Sequence, residues 1–236
     1  MNALVTGVSR RAGIGYAIAE RLRADGARVF TQGWTSHDAA QPWGADEELE
    51  PDVEADFAEP DAPARVVAAA CAALGPLDVL VVNHARSGNG RLHELTAEHV
   101  DAFLRENVRA SLLLVKEFAA RFEGESGRVV LLTSGAHLGP MTSEVAYAVS
   151  KGALGVATAT LADELAVRGI TVNCVNPGPT ETGWGLAEMS PAPRMPFGRW
   201  GKPEDAARLV AWLCSDDGGW LTGQVIDSEG GYRRST

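Results

Sequence analysis

The chain has 236 residues, 45% of them apolar, and a formal charge of −10 from 31 acids against 21 bases. That length builds one domain with a full core and excludes the small scaffolds that need disulfides or metals to fold. The acidic balance speaks against a sequence-independent grip on nucleic acid or an anionic membrane, so a small molecule is the expected partner.

In chain order, a first strand at Ala3–Thr6 runs into Thr6-Gly7-Val8-Ser9-Arg10-Arg11-Ala12-Gly13-Ile14-Gly15. Ile14, Ala17, Ile18 and Leu22 then recur at helical spacing, and Gly26 ends the segment. Strand, glycine turn and amphipathic helix in succession form a dinucleotide-binding context, in which a pyrophosphate lies against bare backbone and the helix N-terminus. Gly7, Ser9, Gly13, Ile14 and Gly15 are therefore candidate coenzyme contacts, although any tight strand-to-helix turn would also use glycine. The second strand, Arg28–Gln32, ends in Gly33-Trp34 without the carboxylate that would bind a ribose 2′-hydroxyl. Arg10 and Arg11 suit a 2′-phosphate instead, which points to NADP(H) over NAD(H).

The third strand, Val53–Asp56, lies in a sharply acidic run. From Asp46 to Glu59 there are eight acids and no base, leaving only −2 for the rest of the chain. The run reads as a solvated loop that would oppose a 2′-phosphate nearby. Asp78–Val82 and Arg128–Thr133 are apolar on both faces, as in parallel strands covered by helices on each side. Helical stretches include Ala102–Phe122 and a long one running from Tyr147 towards Arg168. Strands at Ile170–Val175 and Gln224–Asp227 flank a last helix opened by Pro203-Glu204-Asp205. The expected fold is α/β: a doubly wound parallel sheet of about seven strands in one domain, residues 1–236. Cys71, Cys174 and Cys214 lack ligand spacing and read as buried apolar residues. No leader pattern or run of eighteen apolar residues is present, so a cytoplasmic location is expected.

Tyr147 and Lys151 stand four apart at the start of the long helix, on one face. An ammonium beside a phenol stabilises phenolate, lowering a pKa of about 10 towards the range useful for acid–base work. An ordinary surface pair has the same spacing. The surrounding residues extend the pattern: Asn107 in the preceding helical region, Ser134 after the fifth strand, Asn176-Pro177-Gly178 after the sixth, and Leu221-Thr222-Gly223 near the end. With these and the glycine turn, the chain resembles the short-chain dehydrogenase/reductase family nearly end to end, in particular its 3-oxoacyl thioester reductases.

The resemblance implies a hydride transfer between a nicotinamide coenzyme and a carbonyl or alcohol. Ser134 would hold the substrate oxygen, Tyr147 would transfer the proton, Lys151 would hold the nicotinamide ribose and acidify Tyr147, and Asn107 would anchor a proton relay. Asp56 and Phe57 would recognise adenine, Asn83 and Ala85 would lie against the adenosine ribose, and Pro177, Thr180 and Thr182 would hold the nicotinamide. Residues 183–200, with Trp184, Met189 and Met195, would form a substrate lid, and a homotetramer or homodimer would assemble through the long helices. Two features depart from the family: five residues separate Gly7 from Gly13 where three are usual, and Arg86 replaces a glycine. Arg86 reads as a surface ion pair or as a contact to an anionic ligand; His84 and His137 read as structural or as substrate contacts. Halohydrin dehalogenases share the scaffold but carry Arg at the lysine position and lose the glycine turn. A coenzyme-sensing protein without catalysis is a further alternative.

Overall fold

The computed structural model describes residues 1–41, 43–183, 186, 190–191 and 194–234. Strands β1 (Asn2–Thr6), β2 (Arg28–Gly33), β3 (Val53–Glu54), β4 (Val79–Val82), β5 (Gly127–Leu132), β6 (Ile170–Asn176) and β7 (Val225–Asp227) form one sheet. Its order is β3-β2-β1-β4-β5-β6-β7 and every pairing is parallel. The helices are α1 (Ile14–Ala24), α2 (Thr35–Ala39), α3 (Ala62–Leu74), α4 (Ala97–Phe103), α5 (Ala110–Arg121), α6 (Val145–Ala166) and α7 (Pro203–Cys214). This is the doubly wound sheet expected from the alternating runs.

Alternation along each strand feeds two cores. Leu80 and Val82 of β4 join Val66, Leu114, Phe118 and Leu154 of α3, α5 and α6 on one face. Val79 and Val81 join Ile18, Leu22, Val210 and Leu213 of α1 and α7 on the other. Each fully buried aliphatic side chain of this kind contributes about 1.5–3 kcal/mol, which is why these strands carry no polar face. Cys174 and Cys214 are buried and Cys71 is half-buried, all as free thiols.

Three local departures matter for the site. β3 stops at Glu54, because the Asp56 carboxylate accepts the Ala58 amide at 2.7 Å and turns the chain. The short helix α2 follows β2 directly. The expected continuous helix over 102–122 is interrupted by a π-helical turn, Leu104–Arg109. Chain order reverses between β1 and β4, which opens a crevice at their carboxyl ends.

Candidate active site

The crevice begins at the glycine turn. Gly7 has φ +71°, a conformation that favours glycine. A Cβ on Gly15 would lie 2.4 Å from the Gly7 carbonyl oxygen, and one on Gly7 would lie 2.8 Å from the His84 backbone. The Asn83 amide locks the turn by donating to the carbonyls of Thr6 and Gly7 at 3.1 and 3.0 Å. The N-terminus of α1 has no side-chain cap and no acid in its first turn. Its positive end therefore remains available to an anion.

A cavity of about 290 Å³ continues from this turn, lined among others by Gly7, Ser9, Gly13, Asp56, Phe57, Asn83 and Ala85. The Ser9 hydroxyl accepts the Trp34 amide at 2.9 Å. Arg10 reaches into the cavity, where its Nε lies 3.2 Å from Asp38, its guanidinium covers the Trp43 ring, and Nη1 donates to the Thr182 carbonyl at 2.8 Å. Arg11 does not enter. Its guanidinium is taken up by Asp46 and Glu48, at 2.9 and 2.7 Å, and it lines neither cavity of the crevice. The acidic run is thus more than a solvated strip: Asp52 accepts from the Thr31 amide and hydroxyl, Glu54 from those of Thr35, and Glu59 pairs with Arg65.

A second cavity, of about 500 Å³, shares Ile14, Ser87 and Thr182 with the first. Ser134 and Tyr147 both face it, together with Pro177 and Thr180. The Ser134 hydroxyl lies 3.8 Å from the Met141 sulfur. Lys151, one turn beyond Tyr147 on α6, is 2% exposed, and its carbonyl accepts the Thr133 hydroxyl at 2.7 Å. Burial pushes the Lys151 ammonium down to about 8. Burial also pushes the Tyr147 phenol up to about 12, with the Glu144 carboxylate adding to the effect. The sequence-based expectation was a lowered phenol; here desolvation dominates, so Tyr147 is protonated at neutral pH.

Asn107 sits in the π-helical turn and is 1% exposed. Its Oδ1 accepts the Arg86 amide at 2.7 Å, while Nδ2 donates to the Arg86 carbonyl and the Ser150 hydroxyl, both at 2.9 Å. Ser150 in turn donates to the Tyr147 carbonyl at 2.8 Å. Both amide hydrogens of Asn107 are therefore spent on holding the first turn of α6 against the loop after β4. His84, which also lines the first cavity, is held at both ring nitrogens. Its Nε2 faces the Glu106 carbonyl at 3.1 Å, which can only accept, so Nε2 carries the proton and Nδ1 accepts from the Thr6 hydroxyl at 2.9 Å. Arg86 pairs with Glu106 at 3.0 Å and covers the Phe103 ring. His137 lies outside both cavities against Asp227.

The comparisons with known proteins agree with this geometry. A family model described as enoyl-(acyl carrier protein) reductase matches residues 7–233. The chain is 40% identical to the uncharacterized oxidoreductase YjdA of Bacillus subtilis over 98% of this chain and 96% of that protein. It is 34% identical to the acetoacetyl-CoA reductase of Shinella zoogloeoides over 97% of each. A short chain dehydrogenase from Burkholderia cenocepacia, solved in complex with NADP, superposes with a TM-score of 0.85 at 36% identity, covering 98% of this chain and 96% of that one. The chain belongs to the short-chain dehydrogenase/reductase family. It is an enzyme, an oxidoreductase that works with a nicotinamide coenzyme.

The residues present fit that coenzyme. Gly7 and Gly15 leave bare backbone beside an uncapped helix N-terminus, as a pyrophosphate requires, and two joined cavities extend from the turn for the two nucleotide halves. Part of the segment expected to form a lid in this short-chain dehydrogenase/reductase lies among the described residues. Trp184 and Met189 lie outside the described residues, while Met195 is buried rather than offered as open apolar surface. Sequence reasoning missed Asp38 and Trp43 in the first cavity, and Glu144, Arg194, Glu229, Tyr232 and Arg234 in the second. Only Glu144, three residues ahead of Tyr147, carried a positional signal.

Proposed function

We propose that the enzyme interconverts a ketone and a secondary alcohol, taking NADP(H) in preference to NAD(H). The observation that supports this most directly is the shared cavity of Ser134 and Tyr147, with Lys151 buried one turn away on the same helix. When bound, the coenzyme supplies hydride to, or accepts it from, the carbon that bears the oxygen. In the reductive direction the Ser134 hydroxyl donates to the carbonyl oxygen and Tyr147, protonated at neutral pH, passes its proton to that oxygen. The Lys151 ammonium stabilises the phenolate left behind. Asn107 acts as a positioning residue through Ser150 and the Tyr147 backbone. Lys151 and the glycine turn speak against a dehalogenase.

Arg10 supports the preference for NADP(H), since its guanidinium lines the adenosine cavity while Arg11 does not. The enzyme is further proposed to assemble as a homodimer or homotetramer. A groove on α5 and α6, lined by Leu112, Val149, Ala153, Val156 and Leu161, supports that reading.

Oxidation of NADPH and NADH, followed by absorbance over a panel of ketones, tests the proposal. Tyr147→Phe should reduce kcat/KM by a factor on the order of 10² or more while coenzyme still binds. A Tyr147→Phe variant as active as the wild type would overturn the assignment.

A further inference from the structure

Among the described residues, four charged side chains line the cavity of Ser134 and Tyr147: Glu144, Arg194, Glu229 and Arg234. Two of them cancel. Arg234 pairs with both carboxylate oxygens of Glu229, Nη1 to Oε2 at 2.8 Å, and the Glu229 side chain is 7% exposed. Glu229 also accepts from the Asn176 amide at 2.7 Å. The Arg234 side chain lies flat on the loop after Ser134, where a Cβ on Gly139 would come within 2.5 Å of it. This ion pair is a fixed wall of the cavity.

Arg194 differs. Its carbonyl accepts the Arg233 amide at 2.9 Å, which ties the lid region to the C-terminal segment. Its Nη1 reaches the Tyr232 hydroxyl at 3.3 Å. Among the described residues no carboxylate pairs with it, so most of its five donors remain for an incoming acceptor. A half-buried guanidinium in a concave site that also contains Met141, Leu186 and several prolines has the fork geometry and reduced hydration that favour a carboxylate. Glu144 introduces a constraint. It stands at the start of α6 beside Tyr147, without a cationic partner among the described residues, so an anion next to the reacting carbon would be repelled.

We infer that Arg194, with the Tyr232 hydroxyl beside it, is a specificity-determining residue that selects oxo or hydroxy substrates bearing a carboxylate remote from the reacting carbon. The inference rests on the alcohol–carbonyl reading of the site.

Steady-state kinetics with NADPH on oxo acids and on their methyl esters tests it, in wild type, Arg194→Met and Arg194→Lys. Wild type should favour each acid over its ester by roughly ten- to a hundredfold in kcat/KM. Arg194→Met should erase that preference by raising KM for the acids, with the esters and kcat little changed, and Arg194→Lys should restore part of it. Equal rates on acid and ester in wild type, or an undiminished acid preference in Arg194→Met, overturn the inference. If no ketone in the panel is reduced, calorimetry with a saturated dicarboxylate on the NADPH-loaded enzyme decides. Binding that Arg194→Met abolishes supports the carboxylate site, and absence of binding overturns it. Failure of NADPH itself to bind would instead count against the coenzyme reading, and the two results are distinct.

Discussion

At the scale of single residues, the site holds groups in states that water would not favour. Lys151 is buried and its ammonium pushed down to about 8, so at pH 7 the folded protein bears the desolvation of a charge. Lys151→Met should therefore raise the melting temperature at pH 7, by the equivalent of about 1–3 kcal/mol, while abolishing turnover. The gain should shrink as pH rises from 8 towards 10.5, because the folded wild type then releases its proton before the unfolded chain does. Thermal melts of both proteins across that range provide the check. Arg10 is held in competition of another kind, since the Asp38 carboxylate lies on the same guanidinium that a 2′-phosphate would use. Asp38→Asn should raise the NADPH/NADH ratio of kcat/KM by about five- to tenfold and Arg10→Ala should lower it, as measured with a single ketone.

At the scale of elements, the π-helical turn Leu104–Arg109 decides how α6 is seated. Its Asn107 bonds both backbone groups of Arg86 and, through Ser150, the first turn of α6. Asn107→Ala leaves those buried groups without partners. It should cost about 2–3 kcal/mol in urea unfolding and lower kcat more than it raises KM. His84 closes the same turn from the other side. Burial pushes its imidazole down to about 3, so the folded state resists protonation that the unfolded chain accepts below about 6.5. The His84 contribution to stability is then present above pH 6.5 and lost progressively as pH falls towards 3. His84→Gln should flatten the fall in urea midpoint between pH 7 and 5. These elements also mark what the sequence made legible. The seven strands and the glycine turn are readable because periodicity and spacing are local, whereas Ser134, Tyr147 and Lys151 stand out as a set only through the resemblance to the family. The π-helical turn, the Arg10–Asp38 pair and the Arg234–Glu229 wall are not readable, because each depends on side chains brought together by the fold from positions with no common spacing. The direction of the phenol's shift is not legible either: the neighbouring Lys is visible in the sequence, but the desolvation around Tyr147 and the burial of Lys151 are not.

At the scale of the whole molecule, α6 is apolar enough and long enough to pass for a membrane span, yet two surroundings account for its composition. Leu154, Ala162 and Leu165 enter the core, whereas Val149 and Val156 are 59% and 78% exposed beside Leu112 of α5. On the proposed assembly through this groove, Val156→Asp should shift sedimentation towards smaller species while leaving the monomer's fold intact, because the side chain is 78% exposed. The parallel sheet has a consequence for folding rather than for chemistry. Its pairing nearest in sequence, Gln32 with Val53, already closes a loop of about twenty residues, and Ala3 must wait for Val79. Such non-local pairings slow folding towards the millisecond-to-second range. On the ribosome, the apolar Ala3-Leu4-Val5 strand emerges well before its β4 partner, and it stays open along one edge until Val79 has followed it.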